Sequence, residues 1–176
     1  DATVSITPAT ASYGIQDKDG KTFADESVIP AGSEFILDPD GALEVKSGAT
    51  ATGTVNGMTV WTLDEGATEV KLGAKEGCIW NGFFWTDADG KVVRPNTFSS
   101  ASAKSLARAY TLPAWVYDVL EGKTATITIP LATPVDGANK VVYTVTADEA
   151  GVIIFDYNGA TAEQIAAAGE VIANGI

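Results

Sequence analysis

The chain has 176 residues, 45% of them hydrophobic, and a formal net charge of −12 from 11 Lys and Arg against 23 Asp and Glu. That length and apolar content suit a single domain over residues 1–176 with a real core, and they exclude an intrinsically disordered chain. The basic residues are scattered, which argues against nucleic acid or an anionic membrane as a partner, since both need a basic surface.

Taken in chain order, "ATVSITP" alternates Val4 and Ile6 against polar residues, as a strand does when added to a sheet edge, including the edge of a neighbouring subunit. "SEFILD", "ALEVK", "ATEVKLG" and "KVVRP" read as further short strands between glycines. In "ATGTVNGMTVWT" the Asn56-Gly57 pair predicts a two-residue hairpin turn. That register opposes Val55 to Met58, Thr54 to Thr59, Gly53 to Val60 and Thr52 to Trp61. Val55, Met58 and Val60 then form the core face, and Trp61 stands among Thr52, Thr54 and Thr59 on the other. There it either packs under another element or is exposed for recognition.

The same procedure on "CIWNGFFWT" pairs Trp80 with Phe83, Ile79 with Phe84 and Cys78 with Trp85. Both faces are apolar, so Trp80, Phe83 and Trp85 belong to a core, to a contact with a neighbouring subunit or to an aromatic platform for a sugar. "FSSASAKSLARAY" is a long loop or a short helix. "TLPAWVYDVLEGK" reads as a short helix, with Pro113 in its first turn and Gly122 at its stop, although Trp115, Tyr117 and Val119 also alternate as in a strand. "TATITIPL", "KVVYTVTA" and "GVIIFDY" form an antiparallel meander. "TAEQIAAAGEVIANG" predicts a C-terminal helix with Thr161 and Gln164 at capping-box spacing and Ile165, Val171 and Ile172 on one face. These elements predict a mainly β chain: an antiparallel β-sandwich, of jelly-roll type or simpler, with one or two short helices.

Three acidic D-x-D-G stretches begin at Asp17, Asp38 and Asp87. Aligned to an EF-hand loop, the first puts Asp17 and Asp19 at positions 3 and 5 and Glu26 at position 12, but Ile15 stands first. The second offers Ile36 and Ser47 at the loop ends, and the third Trp85 and Asn96. None meets the calcium pattern, and x-D-G between β runs matches a type I turn followed by a glycine at positive φ. No cofactor is therefore expected; if one site takes Ca²⁺, its ligands are Asp17, Asp19 and Glu26.

The chain contains no histidine, which removes His-based triads, His metal sites and His acid–base work together. Cys78 stands alone, a small buried hydrophobe or a thiol used between chains. No P-loop or G-x-G-x-x-G motif occurs. Paired carboxylates of a glycosidase lie in no recognisable motif, so the expectation is a protein that is not an enzyme. No apolar run approaches the ~20 residues of a membrane helix, and no leader is present, so a mature secreted or cell-surface chain beginning at Asp1 is expected.

Two functions fit. The first is a structural or adhesive subunit that associates with copies of itself into an extracellular assembly such as a filament, by strand exchange at Val4 and Ile6 or through Trp80, Phe83 and Trp85. The second is a carbohydrate-binding module holding a polysaccharide on Trp61, Thr52 and Thr59.

Overall fold

The computed structural model describes residues 3–8, 13–25, 27–94 and 113–174. Among the described residues strands account for 49% and helices for 12%, a mainly β, sandwich-like fold with several antiparallel sheets. Contacts divide the chain into two compact units, Asp1–Cys78 with Arg94–Thr97, and Ile79–Val93 with Phe98–Ile176.

The first unit holds β1 (Thr3–Pro8), β2 (Gly14–Asp17), β3 (Val28–Pro30), β4 (Glu34–Asp38), β5 (Leu43–Ser47), β6 (Ala49–Val55), β7 (Met58–Leu63) and β8 (Glu69–Ala74). They form two four-stranded sheets, ordered β3-β1-β8-β5 and β2-β4-β7-β6. In the first, Val4, Ile6, Ile29, Leu43, Val70 and Leu72 are buried while their neighbours along β1 are exposed, the alternation of a sheet packed on one face. β4 differs: Phe35, Ile36 and Leu37 are all 0% exposed. Consecutive strand residues point to opposite faces, so this sheet is covered on both sides at β4. Antiparallel pairing was expected throughout, yet β1 runs parallel to β8.

The second unit holds β9 (Ile79–Trp80), β10 (Trp85–Thr86), α1 (Trp115–Leu120), β11 (Ala125–Val135), β12 (Ala138–Ala147), β13 (Ile153–Asp156) and α2 (Ala162–Ala173). The meander is as predicted, ordered β11-β12-β13. Both helices form where Pro113, Gly122 and the Thr161 capping box place them. Val116 and Val119 of α1 join Tyr143, Val145, Phe155, Ala168 and others in one core. Residues 91–94 of "KVVRP", the part described, form no strand; Lys91 and Val92 make isolated bridges to Ile154 and Thr86. "FSSASAKSLARAY" lies outside the described residues.

Candidate functional site

The feature with most functional content in the first unit is the seat of β1. Thr3, Val4 and Ser5 pair antiparallel with Pro30, Ile29 and Val28 of β3. Ser5 to Pro8 pair parallel with Glu69 to Leu72 of β8. The strand is thus bonded on both edges, and Val4 and Ile6 are 4% and 6% exposed. Ile6 N–H donates to the Ser27 carbonyl at 2.8 Å, Ser5 N–H to Thr68 at 3.2 Å, and the Thr7 hydroxyl to Glu69 at 2.5 Å. The rim is shaped by Asp25, whose carboxylate accepts from the Ser27 hydroxyl (2.6 Å) and backbone N–H (2.9 Å). Those bonds, the hydroxyl's first, hold the Asp25 carboxyl below its ordinary range. Nothing local in the sequence marks Ser27, Thr68 or Glu69 as partners of β1.

Trp61 sits opposite Phe35 in the other sheet and is half-buried, with its indole N–H out of contact with solvent and without an acceptor among the described residues. The predicted hairpin register holds from Val55–Met58 to Gly53–Val60 and then breaks, because a bulge between Ala51 and Gly53 puts Ala51 opposite Trp61. Thr52 is displaced, and its hydroxyl meets that of Thr62 at 2.6 Å. Thr62 alternates to the face opposite Trp61, so Thr52 leaves the proposed Trp61 surface. Thr59 stays on that face, with its backbone N–H donating to Asp40 at 3.2 Å.

The first acidic stretch forms a closed turn. One Asp17 carboxylate oxygen accepts from Asp19 and Lys21 N–H, both at 2.9 Å, and Gly20 takes φ 83°. Asp87 repeats this with Asp89 and Lys91, and Gly90 takes φ 78°. The middle copy departs from the expected turn: Asp38-Pro39 is a cis bond and Ala42 N–H returns to the Pro39 carbonyl. Glu26 lies outside the described residues, among which no three His, Cys, Asp or Glu gather as a metal site.

In the second unit the expected two-residue turn at Asn81-Gly82 is a longer loop, and Trp80 pairs with Trp85 rather than Phe83. The reason is Asn81, which is 0% exposed and works as an internal anchor. Its side-chain oxygen accepts from Phe83 N–H (2.9 Å) and Phe84 N–H (2.8 Å). Its amide donates to Tyr157 (3.4 Å), and its carbonyl accepts from the Tyr143 hydroxyl (3.3 Å). Tyr157 also meets the buried Thr86 hydroxyl at 2.8 Å. Burial raises both tyrosine hydroxyls above their ordinary range.

Trp80 and Trp85 rings lie 5.8 Å apart. Phe83 packs edge-on against Trp115 at 5.4 Å and Tyr143 at 6.3 Å. Phe83 thus packs against the core of its unit and Trp85 is buried, while Trp80 is half-buried. α2 approaches this loop through Gly169, where an added Cβ would stand 3.4 Å from Asn81 and Gly82 backbone atoms. Among the described residues, no helix is long and apolar enough to cross a membrane.

No family model matches the chain, and no curated protein or solved structure matches it either.

Proposed function

We propose that this chain is a non-catalytic structural or adhesive subunit that associates with its own copies into an extracellular assembly, exchanging β1 between neighbours. The observation that carries this reading is the seat of β1, a strand held on both edges through partners distant in sequence, with two apolar side chains in the core. Withdrawing it exposes the edges of β3 and β8 and the apolar positions beside Ile29 and Val70. A second copy's β1 restores the same contacts in trans, the low-cost route of an exchanged element. Burying Val4 and Ile6 contributes about 1.5–3 kcal/mol each, a large share of the ~5–15 kcal/mol of a folded domain.

The carbohydrate reading has weaker support, because Trp61 buries its N–H and Thr52 turns from it; Tyr117, at 45%, is the exposed large hydrophobic among the described residues.

The test is deletion of residues 1–8, followed by light scattering and thermal unfolding with and without a peptide of that sequence. Loss of association and of stability is expected, with the peptide recovering stability alone, because a free strand fills the slot between β3 and β8 without joining two copies. A full chain that stays monomeric at high concentration, with a truncation equally stable, overturns the proposal. Binding of a glycan lost in Trp61→Ala would favour the other reading.

A further inference from the structure

Asn-Gly is chemically the least durable dipeptide containing an amide side chain, because glycine leaves its backbone nitrogen open to attack the preceding side chain. The sequence has four such pairs, at 56–57, 81–82, 158–159 and 174–175. The first three lie wholly within the described residues and stand in three different environments. Asn81 is buried, with its side-chain oxygen committed to two backbone N–H groups and its amide to Tyr157. Around Gly82 an added Cβ would meet Ile172 at 2.8 Å and Gly169 at 3.0 Å, so approach there is crowded. The Asn158 amide nitrogen donates to Val142 O (2.8 Å), Thr144 Oγ1 (3.2 Å) and Asp156 O (3.4 Å), which ties down the group that would leave.

Asn56 has none of this. It is exposed at the tip of the β6–β7 hairpin, nothing lies within 4 Å of where a Gly57 Cβ would stand, and no hydrogen bond holds its side chain among the described residues. Its backbone sits at φ 49° within the tight turn, and the rotation about ψ that brings the Gly57 nitrogen to the side chain requires that turn to open. That opening is local, because residues 51–54 are exposed and Val55 is only half-buried, so fraying the tip breaks little.

We propose that Asn56 is a site of spontaneous deamidation and isomerisation, selected by the fold over Asn81 and Asn158. The Gly57 nitrogen, having lost its proton to solvent base, bonds to Asn56 Cγ; the Cγ–Nδ2 bond breaks and ammonia leaves. Water then opens the resulting succinimide at either carbonyl, giving aspartate or isoaspartate. The net reaction consumes one water and releases one ammonia. Each product adds a negative charge to a chain already at −12. Isoaspartate also lengthens the backbone by a methylene in a two-residue turn that fixes the Val55–Met58 register, so the aged hairpin is altered in shape.

The experiment is a time course of the intact, folded protein in warm, mildly alkaline buffer, read by tryptic mapping with fragmentation to assign each asparagine. The peptide spanning residues 47–71 should gain one dalton and split chromatographically, about tenfold or more faster than Asn81 or Asn158, which must first open against their hydrogen bonds. In urea the three rates should converge, since all share the same dipeptide. Asn56→Ser should abolish the gain in that peptide. If folded Asn56 reacts no faster than Asn81 and Asn158, or if the folded and unfolded rankings coincide, the proposal is wrong.

Discussion

Replacing Asn81 by alanine probes the least expected feature of the second unit, a loop organised by one buried amide. The substitution leaves the Phe83 and Phe84 N–H groups without the oxygen they share, at 2.9 and 2.8 Å. Each buried donor left unsatisfied costs about 1–3 kcal/mol, so the pair together costs about 2–6 kcal/mol. Tyr157 keeps Thr86 as a partner at 2.8 Å, and the Asn81 backbone carbonyl still receives Tyr143, so the rest of the network adds little. For a chain of this size the melting temperature should fall by about 2–4 °C per kcal/mol, hence roughly 4–24 °C. The assay is thermal and urea unfolding, with hydrogen exchange at the Phe83 and Phe84 amides to place the loss. Asn81→Ser, whose shorter hydroxyl reaches one amide at most, should fall between. A cost below about 1 kcal/mol with unchanged exchange protection at both amides would refute the anchoring role, since that lies under the expected range.

Gly90→Ala should be far more damaging than Gly57→Ala: both glycines have positive φ, but a Cβ at Gly90 lands on the Phe155 carbonyl oxygen and one at Gly57 meets nothing within 4 Å. Equal urea midpoints for the two variants would contradict that. Stability should hold up to about pH 10 and decline above it, because unfolded tyrosines ionise there while burial keeps Tyr143 and Tyr157 protonated in the fold. In Tyr143→Phe the decline should be shallower, and the same slope in both proteins speaks against the buried hydroxyl as its source. Calcium and chelator should leave the melting temperature alone, since one Asp17 oxygen is already taken by two backbone amides; a calcium-dependent rise would return Asp17 and Asp19 to the list of ligands. Trp61→Phe removes a buried donor that has no acceptor, so it should cost less than about 1 kcal/mol, and a larger loss in urea unfolding would reveal a partner for that N–H.

Elements whose signals are local were legible in the sequence. Asn56-Gly57 sits at a hairpin tip with both residues at positive φ, as its dipeptide requires. Thr161 and Gln164 close a reciprocal capping box, with Thr161 N–H donating to Gln164 at 2.8 Å. Asn81-Gly82 carries the identical dipeptide and behaves otherwise, because its surroundings are apolar. An asparagine there gains more by satisfying the amides of Phe83 and Phe84 inside the core than by capping an exposed turn. Gly169 looks like a helix weakness of about 1 kcal/mol relative to alanine. It proves to be the residue that lets α2 close on the Asn81-Gly82 backbone.

The seat of β1 shows where such reading stops. Alternation in "ATVSITP" correctly sends Val4 and Ile6 to one buried face, because period-two patterning is a property of the strand alone. Which edges that strand meets is a property of loop closure between segments far apart. β8 lies more than sixty residues on, and its Glu69–Leu72 stretch carries the same alternation as any other strand. The parallel sense of that pair is equally silent in the sequence, since β1 carries no longer apolar run than its antiparallel neighbours. Pairing that depends on distant segments is also pairing that a second chain can supply, because nothing in a local turn dictates which copy of Glu69–Leu72 the strand must find. The same lack of local encoding that hides the seat of β1 is therefore what makes exchange of that strand the test with most to decide.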